Sequence, residues 1–193
     1  MTEKIVDWLL KKQIENHIIS SEDEPIYRYG YILVCEVIIN VFLALVIGAG
    51  MKDMRTVVAF LVIYIPLRSF CGGWHAPRLW LCTVFSNILL VVIVMAHKYL
   101  TQHFTIPVLL SIFMVCMGII LYFAPIETIT KLIDQEEERV YRKKIKIIAI
   151  CHFAVGIFLI AVQADRRIFT LVSAYTTQVL MLFLGMVNRE QNS

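Results

Sequence analysis

Charge is what this sequence has least of: 17% of its 193 residues are Asp, Glu, Lys or Arg, against about a quarter in soluble domains. By contrast 59% are hydrophobic and the mean hydropathy is +0.75. A chain of 22.3 kDa cannot hide that much apolar surface from water, which excludes a small soluble domain. The same figures exclude a disordered chain. The 18 basic and 15 acidic residues nearly balance and form no basic stripe, so nucleic acid is not an expected partner. The five cysteines, Cys35, Cys71, Cys82, Cys116 and Cys151, include no C-x-x-C pair. This argues against a zinc knuckle, a redox dithiol and a quinone-linked oxidase. Four of them lie in or beside apolar runs, where a thiol behaves as a small hydrophobe, and no disulfide framework is expected. There is no H-E-x-x-H and no G-x-S-x-G, and no metal or cofactor is expected. Glu3, Lys4, Asp7, Lys11, Lys12 and Glu15 interrupt any apolar signal region at the start.

What remains is a polytopic membrane protein. Crossing a hydrocarbon core takes about 20 mostly apolar residues, and six spans are expected near 31–50, 54–70, 82–101, 104–124, 145–164 and 168–187. The second is the weakest, being short and followed by Arg68, and is expected as a short or re-entrant helix. Placing the N-terminus inside puts thirteen of the eighteen Lys and Arg on the inner side, so both termini are expected in the cytoplasm. Residues 3–19 carry Ile5, Val6, Leu9, Leu10, Ile14 and Ile18 on one helical face. That pattern suits an amphipathic helix lying on the inner leaflet, or equally one packed on the protein. Residues 134–142 run from acids to bases, with Glu138 and Arg142 spaced i,i+4, as in a solvated connecting helix. With no internal repeat and no long linker, one domain is expected over 1–193. It would comprise an N-terminal segment 1–30, a membrane bundle 31–187 and a tail 188–193.

One stretch stands apart: Arg68-Ser-Phe-Cys-Gly-Gly-Trp-His75-Ala-Pro-Arg-Leu-Trp-Leu-Cys82. Gly72-Gly73 breaks the second span, and Pro77 suits the first turn of the third. On one straight helix His75 and Cys82 would stand about 10 Å apart along the axis. The glycine break is what could fold the imidazole back over the thiol, and a paired thiolate and imidazolium is a nucleophile at neutral pH. The bland alternatives are packing residues for His75 and Cys82 and a snorkelling anchor for Arg68.

The segment Arg68…Gly72-Gly73-x-His75-Ala76…Cys82 resembles the signature of the accessory gene regulator B family of bacterial membrane peptidases. The resemblance extends over essentially the whole chain, including Ala124-Pro125-Ile126-Glu127 and the basic loop after it. It implies a cysteine endopeptidase facing the cytoplasm that matures a quorum-sensing, AgrD-like propeptide. Cys82 would be the nucleophile rather than Cys71, with His75 as its base and with Arg68, Gly72 and Gly73 in support. The N-terminal fragment would be held as a thioester, then released as a thiolactone or lactone when an internal Cys or Ser attacks. A homodimer in membrane lipid is also implied. Thioester-to-thiol transfer is nearly isoenergetic whereas water gives a dead-end acid, so such a site should exclude water. Trp74, Trp80 and Phe70 could roof it, or could form an interfacial belt.

Polar residues inside the spans add a further expectation. Glu36, Asn40, Ser86, Asn87, His152 and Gln178 would either line a cleft open to the cytoplasm or stitch helices together. Glu36 is the best candidate to orient His75 as the third group of a triad. The basic run Lys131 to Lys146, with Lys143 and Lys144 at its centre, would attract an acidic propeptide tail, or would merely obey the positive-inside rule. The competing class is a small transporter or peptide exporter without chemistry, which leaves the Gly-Gly-x-His…Cys pattern unexplained.

Overall fold

The computed structural model describes residues 2–16, 18–74, 79–126 and 134–190. Among the described residues seven α-helices follow one another: α1 (Thr2–Glu15), α2 (Glu24–Gly50), α3 (Met54–Cys71), α4 (Leu79–Leu100), α5 (Ile106–Phe123), α6 (Gln135–Ala161) and α7 (Asp165–Glu190). A 3₁₀ turn at Thr101–His103 links α4 to α5. Among the described residues there is no strand, only one isolated bridge between Gly72 and Ile126.

Local chemistry fixes the helix starts. Pro25 and Pro107 sit in the first turns of α2 and α5, where a missing N–H costs nothing. The Asp53 carboxylate accepts from the Thr56 N–H at the head of α3, and Asp134 accepts from the Gln135 N–H at the head of α6. Glu136, Glu137 and Glu138 follow in the first turn of α6, where negative charge opposes the helix dipole.

Among the described residues six helices are long and apolar enough to cross a membrane, α2 through α7. Helices of this length and apolarity suit a multi-pass membrane protein. The expected second span is a continuous helix of 18 residues, about 27 Å at 1.5 Å per residue, despite Pro66 in its interior. The run 134–142 is not a separate connecting helix. It is the first part of α6, a single helix of 27 residues, and Arg142 Nε meets Glu138 Oε1 at 2.8 Å within it. Helix α1 packs on α2: Val6 and Leu10 are buried beside Tyr31, Ile32 and Cys35, and Arg28 Nε reaches Asp7 Oδ1 at 2.9 Å.

Helix α7 forms the centre. Of its membrane-length window 67% is buried, against 11–28% for the others, so the other five present apolar side chains outward, as lipid-facing helices do. Tyr175 on α7 meets Phe113 on α5 edge-to-face at 4.7 Å, and Leu67, Leu171 and Leu182 complete the packing around them. The alternating helices create two ends. At one, the end of α3 meets Ile126 and α7 through backbone bonds. At the other, His97 of α4 contacts Asp53 at 3.3 Å and the Arg166 carbonyl at 3.1 Å.

Candidate functional site

The site begins where α3 stops. Gly72 has φ +71° and Gly73 φ +124°, in the region that favours glycine, so the chain turns sharply out of the helix. The turn is fastened from several directions. Arg68 Nη1 donates to the Gly72 carbonyl at 2.6 Å, and Arg68 Nη2 donates to the Trp74 carbonyl. The Gln178 side-chain amide donates to the same Gly72 carbonyl at 3.0 Å. The Trp74 N–H donates to the Met181 carbonyl at 2.8 Å, and the Ile126 N–H to the Cys71 carbonyl at 3.1 Å. Arg68 is therefore turned onto backbone carbonyls of its own loop instead of snorkelling.

Two glycines permit this close approach. A Cβ on Gly73 would stand 2.4 Å from Arg68 Nη1 and 2.9 Å from the Met181 oxygen. On α7, a Cβ on Gly185 would stand 2.9 Å from both Gly73 C and Trp74 N. The loop backbone thus lies directly on the face of α7 that Gly185 leaves bare.

Beside this loop, α2, α3 and α4 enclose a cavity of about 220 Å³. Cys82, Arg68, Ser69 and Trp74 line it, together with Glu36 and Asn40 from α2 and Ser86 and Asn87 from α4. Most of the remaining wall is apolar. Asn87 Nδ2 donates to the Thr83 carbonyl at 2.7 Å and to Asn40 Oδ1 at 3.3 Å, while Asn40 Nδ2 donates to the Glu36 carbonyl at 3.0 Å. Glu36 Oε1 and Asn87 Oδ1 are buried with no hydrogen-bond partner among the described residues.

The two cysteines near the motif have different surroundings. Cys71 is 0% exposed and sits in the main core with Leu67 and Ile120, whereas Cys82 is part-exposed and lines the cavity. His75 lies outside the described residues, as do Ala76 and Pro77. Trp74, the last described residue before it, lines the cavity and meets Phe85 edge-to-face at 5.5 Å. Among the described residues no three His, Cys, Asp or Glu side chains converge, so the chemistry on offer is that of a thiol beside polar and cationic groups.

Other expected members fall elsewhere. Trp80 is 58% exposed. Phe70 packs against Tyr141 of α6 at 5.8 Å, with Lys144 Nζ 4.7 Å from its ring centroid. Neither Trp80 nor Phe70 is among the lining residues. His152 Nδ1 lies 3.2 Å from the Tyr175 hydroxyl, an interhelical contact away from the cavity. Gln178 serves the loop carbonyl. Lys143 and Lys144 are exposed on the first turns of α6, at the same end of the bundle as the glycine turn. Sequence reasoning missed Gly185 altogether; its one signal was an isolated glycine within an apolar helical run.

A family model described as Accessory gene regulator B matches residues 2–186. The chain belongs to that family. Among curated relatives it is 23% identical over 150 residues to Protein FsrB of Enterococcus faecalis, covering 76% of this chain and 61% of that protein. It is 25% identical over 160 residues to Putative AgrB-like protein 2 of Clostridium perfringens strain 13, covering 79% of this chain and 75% of that one. A Putative AgrB-like protein of Clostridium perfringens strain SM101 is 27% identical over 140 residues, with 69% and 65% covered. The match thus spans less than two thirds of the length of FsrB and of the SM101 protein. No solved structure matches.

Proposed function

We propose that this family member is a membrane cysteine endopeptidase that cleaves an autoinducing-peptide precursor and promotes its cyclisation into a quorum-sensing (thio)lactone. The observation that carries the reading is that Cys82 opens onto a cavity walled by Arg68, Glu36 and Trp74 while Cys71 is sealed in the core. A nucleophile has to be reachable, and of these two thiols only one is.

In the proposed reaction, His75 takes the Cys82 proton as the sulfur attacks the scissile carbonyl. The tetrahedral intermediate collapses by expelling the amine of the C-terminal fragment, which receives that proton from His75. The N-terminal fragment remains as a thioester on Cys82. An internal thiol or hydroxyl of the fragment then attacks the thioester carbonyl, its proton passes to the Cys82 sulfur, and the ring leaves. The apolar cavity wall supports this order of events, since it favours a neighbouring thiol over water. Arg68, Gly72 and Gly73 hold the chain that leads to His75, and Glu36 is placed in the cavity where it could orient the imidazole.

The site end carries the exposed bases of α6, and in this reading it faces the cytoplasm of a bacterial cell. There Lys143 and Lys144 meet an acidic propeptide tail. A homodimer in the bilayer completes the proposal.

The test is intact mass spectrometry of the purified protein in lipid with its cognate propeptide, comparing the parent with Cys82→Ala and Cys71→Ala. An adduct on the parent that survives Cys71→Ala and vanishes with Cys82→Ala is expected. Cleavage by none of the three, with a propeptide processed in the source cell, would favour a transporter or exporter.

A further inference from the structure

When a thiolate adds to a peptide carbonyl, the carbonyl oxygen takes up negative charge, and a site that speeds the step aims a hydrogen-bond donor at it. Several polar groups on the wall of the Cys82 cavity are already spent. Arg68 gives two nitrogens to the Gly72 and Trp74 carbonyls. The Asn40 amide serves the Glu36 carbonyl, and the Asn87 amide serves Thr83 and Asn40. Among the described residues Tyr64, Ser86 and Trp74 line the cavity with side-chain donors that no hydrogen bond commits.

Of these the Tyr64 hydroxyl is the best placed. Phe60, Tyr64 and Arg68 follow one another at intervals of four on α3, and all three line the cavity. The Tyr64 ring stacks on Phe60, with centroids 5.1 Å and planes 18° apart. Phe60 is itself buried in a core cluster with Val57 and Ala174, so packing holds the phenol in place. Tyr64 interacts electrostatically with Arg68 and Cys82, and also with the buried Cys71. Ser86 is exposed, one turn beyond Cys82 on α4, and the Trp74 ring is engaged edge-to-face with Phe85. A phenol is also a more acidic donor than an aliphatic hydroxyl or an indole.

Resting on the cysteine-peptidase reading above, we infer that the Tyr64 hydroxyl is the oxyanion donor of this site. As the Cys82 sulfur bonds to the scissile carbon, the C=O electron pair moves onto oxygen. The Tyr64 O–H donates to that oxygen and keeps its proton. When the C–N bond breaks, the pair returns to C=O and the leaving amine takes the proton held on His75. The second attack, by the internal thiol or hydroxyl, raises an oxyanion at the same place before the C–S bond breaks. One donor thus serves both steps. The Arg68 charge, one turn along α3, favours negative charge there as well, and the mostly apolar wall strengthens both effects.

Tyr64→Phe tests this, because it removes the hydroxyl and keeps the ring on Phe60. The full chain in lipid is mixed with its cognate propeptide over a range of concentrations, and acyl-adduct formation on Cys82 is timed by intact mass. Iodoacetamide alkylation of the same thiol is the reference, since displacement of iodide forms no oxyanion. Cys71 staying unlabelled reports that the variant is folded.

In Tyr64→Phe the adduct rate at saturating propeptide is expected to fall about 100-fold, the usual order for one oxyanion donor. The half-saturating concentration and the iodoacetamide rate should be unchanged, as befits an interaction made only in the transition state. An adduct rate equal to the parent's, or a loss confined to half-saturation, would overturn the assignment while leaving Cys82 as the nucleophile. Equal losses in adduct formation and alkylation would also overturn it, placing Tyr64 on the thiol instead. A parent alkylated at Cys82 by iodoacetamide that forms no adduct with the propeptide would overturn the peptidase reading and the assignment together.

Discussion

Gln178 and Gly72 lie 106 residues apart in sequence, and the Gln178 amide donates to the Gly72 carbonyl at 3.0 Å. Gln178 is 0% exposed at the centre of α7, the most buried helix of the bundle. The glycine turn is thereby tied to the buried central helix, and not only to its own Arg68. Replacing Gln178 by Leu removes one of two donors to that carbonyl. The expected cost in stability is about 1 kcal/mol, the usual net value of one hydrogen bond. A misplacement of about 1 Å near reacting groups can cost roughly a hundredfold in rate. Acyl-adduct formation by Gln178→Leu is thus expected to fall roughly 10- to 100-fold, out of proportion to its small shift in thermal midpoint. A variant with both properties unchanged would show that the loop does not depend on this bond.

Gly185 supplies a sharper contrast. Its Cβ would press at 2.9 Å on the loop backbone, whereas a Cβ on Gly118 of α5 meets nothing within 4 Å. Alanine at Gly118 improves helix propensity by up to about 1 kcal/mol and should leave the protein active and slightly more stable. Alanine at Gly185 gains the same propensity but must push Gly73 and Trp74 away. We expect adduct formation with the propeptide to be nearly lost in Gly185→Ala, with helix content by circular dichroism retained. Equal activity in both variants would dissociate the loop position from catalysis.

The cysteines offer a test that needs no substrate. Cys82 lines the cavity, while Cys71 and Cys116 are buried at 0% and 7% exposure. Iodoacetamide applied to the folded protein should modify Cys82 at least about tenfold faster than Cys71, because buried structural thiols are inert. Cys71 should react only as the chain unfolds. Peptide mapping after timed labelling reads both sites in one sample, and faster loss of Cys71 would reverse the proposed assignment.

The spans were legible because hydropathy and helix length are local properties, and the six membrane-length helices overlay the expected segments. Depth counting also brought Glu36, Asn40, Ser86 and Asn87 to one cavity with Cys82, since each lies a definite number of turns from a span end. It failed for His152 and Gln178. Depth does not say which way a side chain faces: His152 bonds Tyr175 between helices, and the Gln178 amide bonds the glycine turn. Nor could the sequence reveal that α7 is the central helix. Its Thr170, Thr177 and Gln178 are all buried, so polarity, ordinarily a sign of exposure, marks the interior here. The support that Gly185 and Met181 give to a loop more than 100 residues away is a tertiary fact with no local trace. Phe70 and Trp80 do not line the cavity, and the sequence left roof and interfacial belt equally open for them, because aromatic residues beside a motif are legible only as aromatic.

The bases of α6 are where electrostatics and packing have to be told apart. Lys143 is exposed. Lys144 holds its ammonium 4.7 Å from the Phe70 ring centroid, one residue before Cys71, and Arg142 is paired with Glu138. Reversing Arg142 would therefore set two carboxylates at i,i+4, and reversing Lys144 would strip a cation from a ring beside the site. Lys143→Glu does neither, so it isolates the field. If an acidic propeptide tail is steered to this surface, Lys143→Glu should weaken propeptide capture roughly tenfold at low ionic strength. That deficit should shrink toward nothing near 1 M salt, where the screening length is about 3 Å. Lys144→Glu should show the same salt-sensitive loss plus a part that salt does not remove, from the lost contact with Phe70. Binding of a fluorescent propeptide to the Cys82→Ala protein in neutral lipid, titrated at several salt concentrations, separates the two. A deficit in Lys143→Glu that ignores salt would mean that the charge of α6 serves topology and not the substrate.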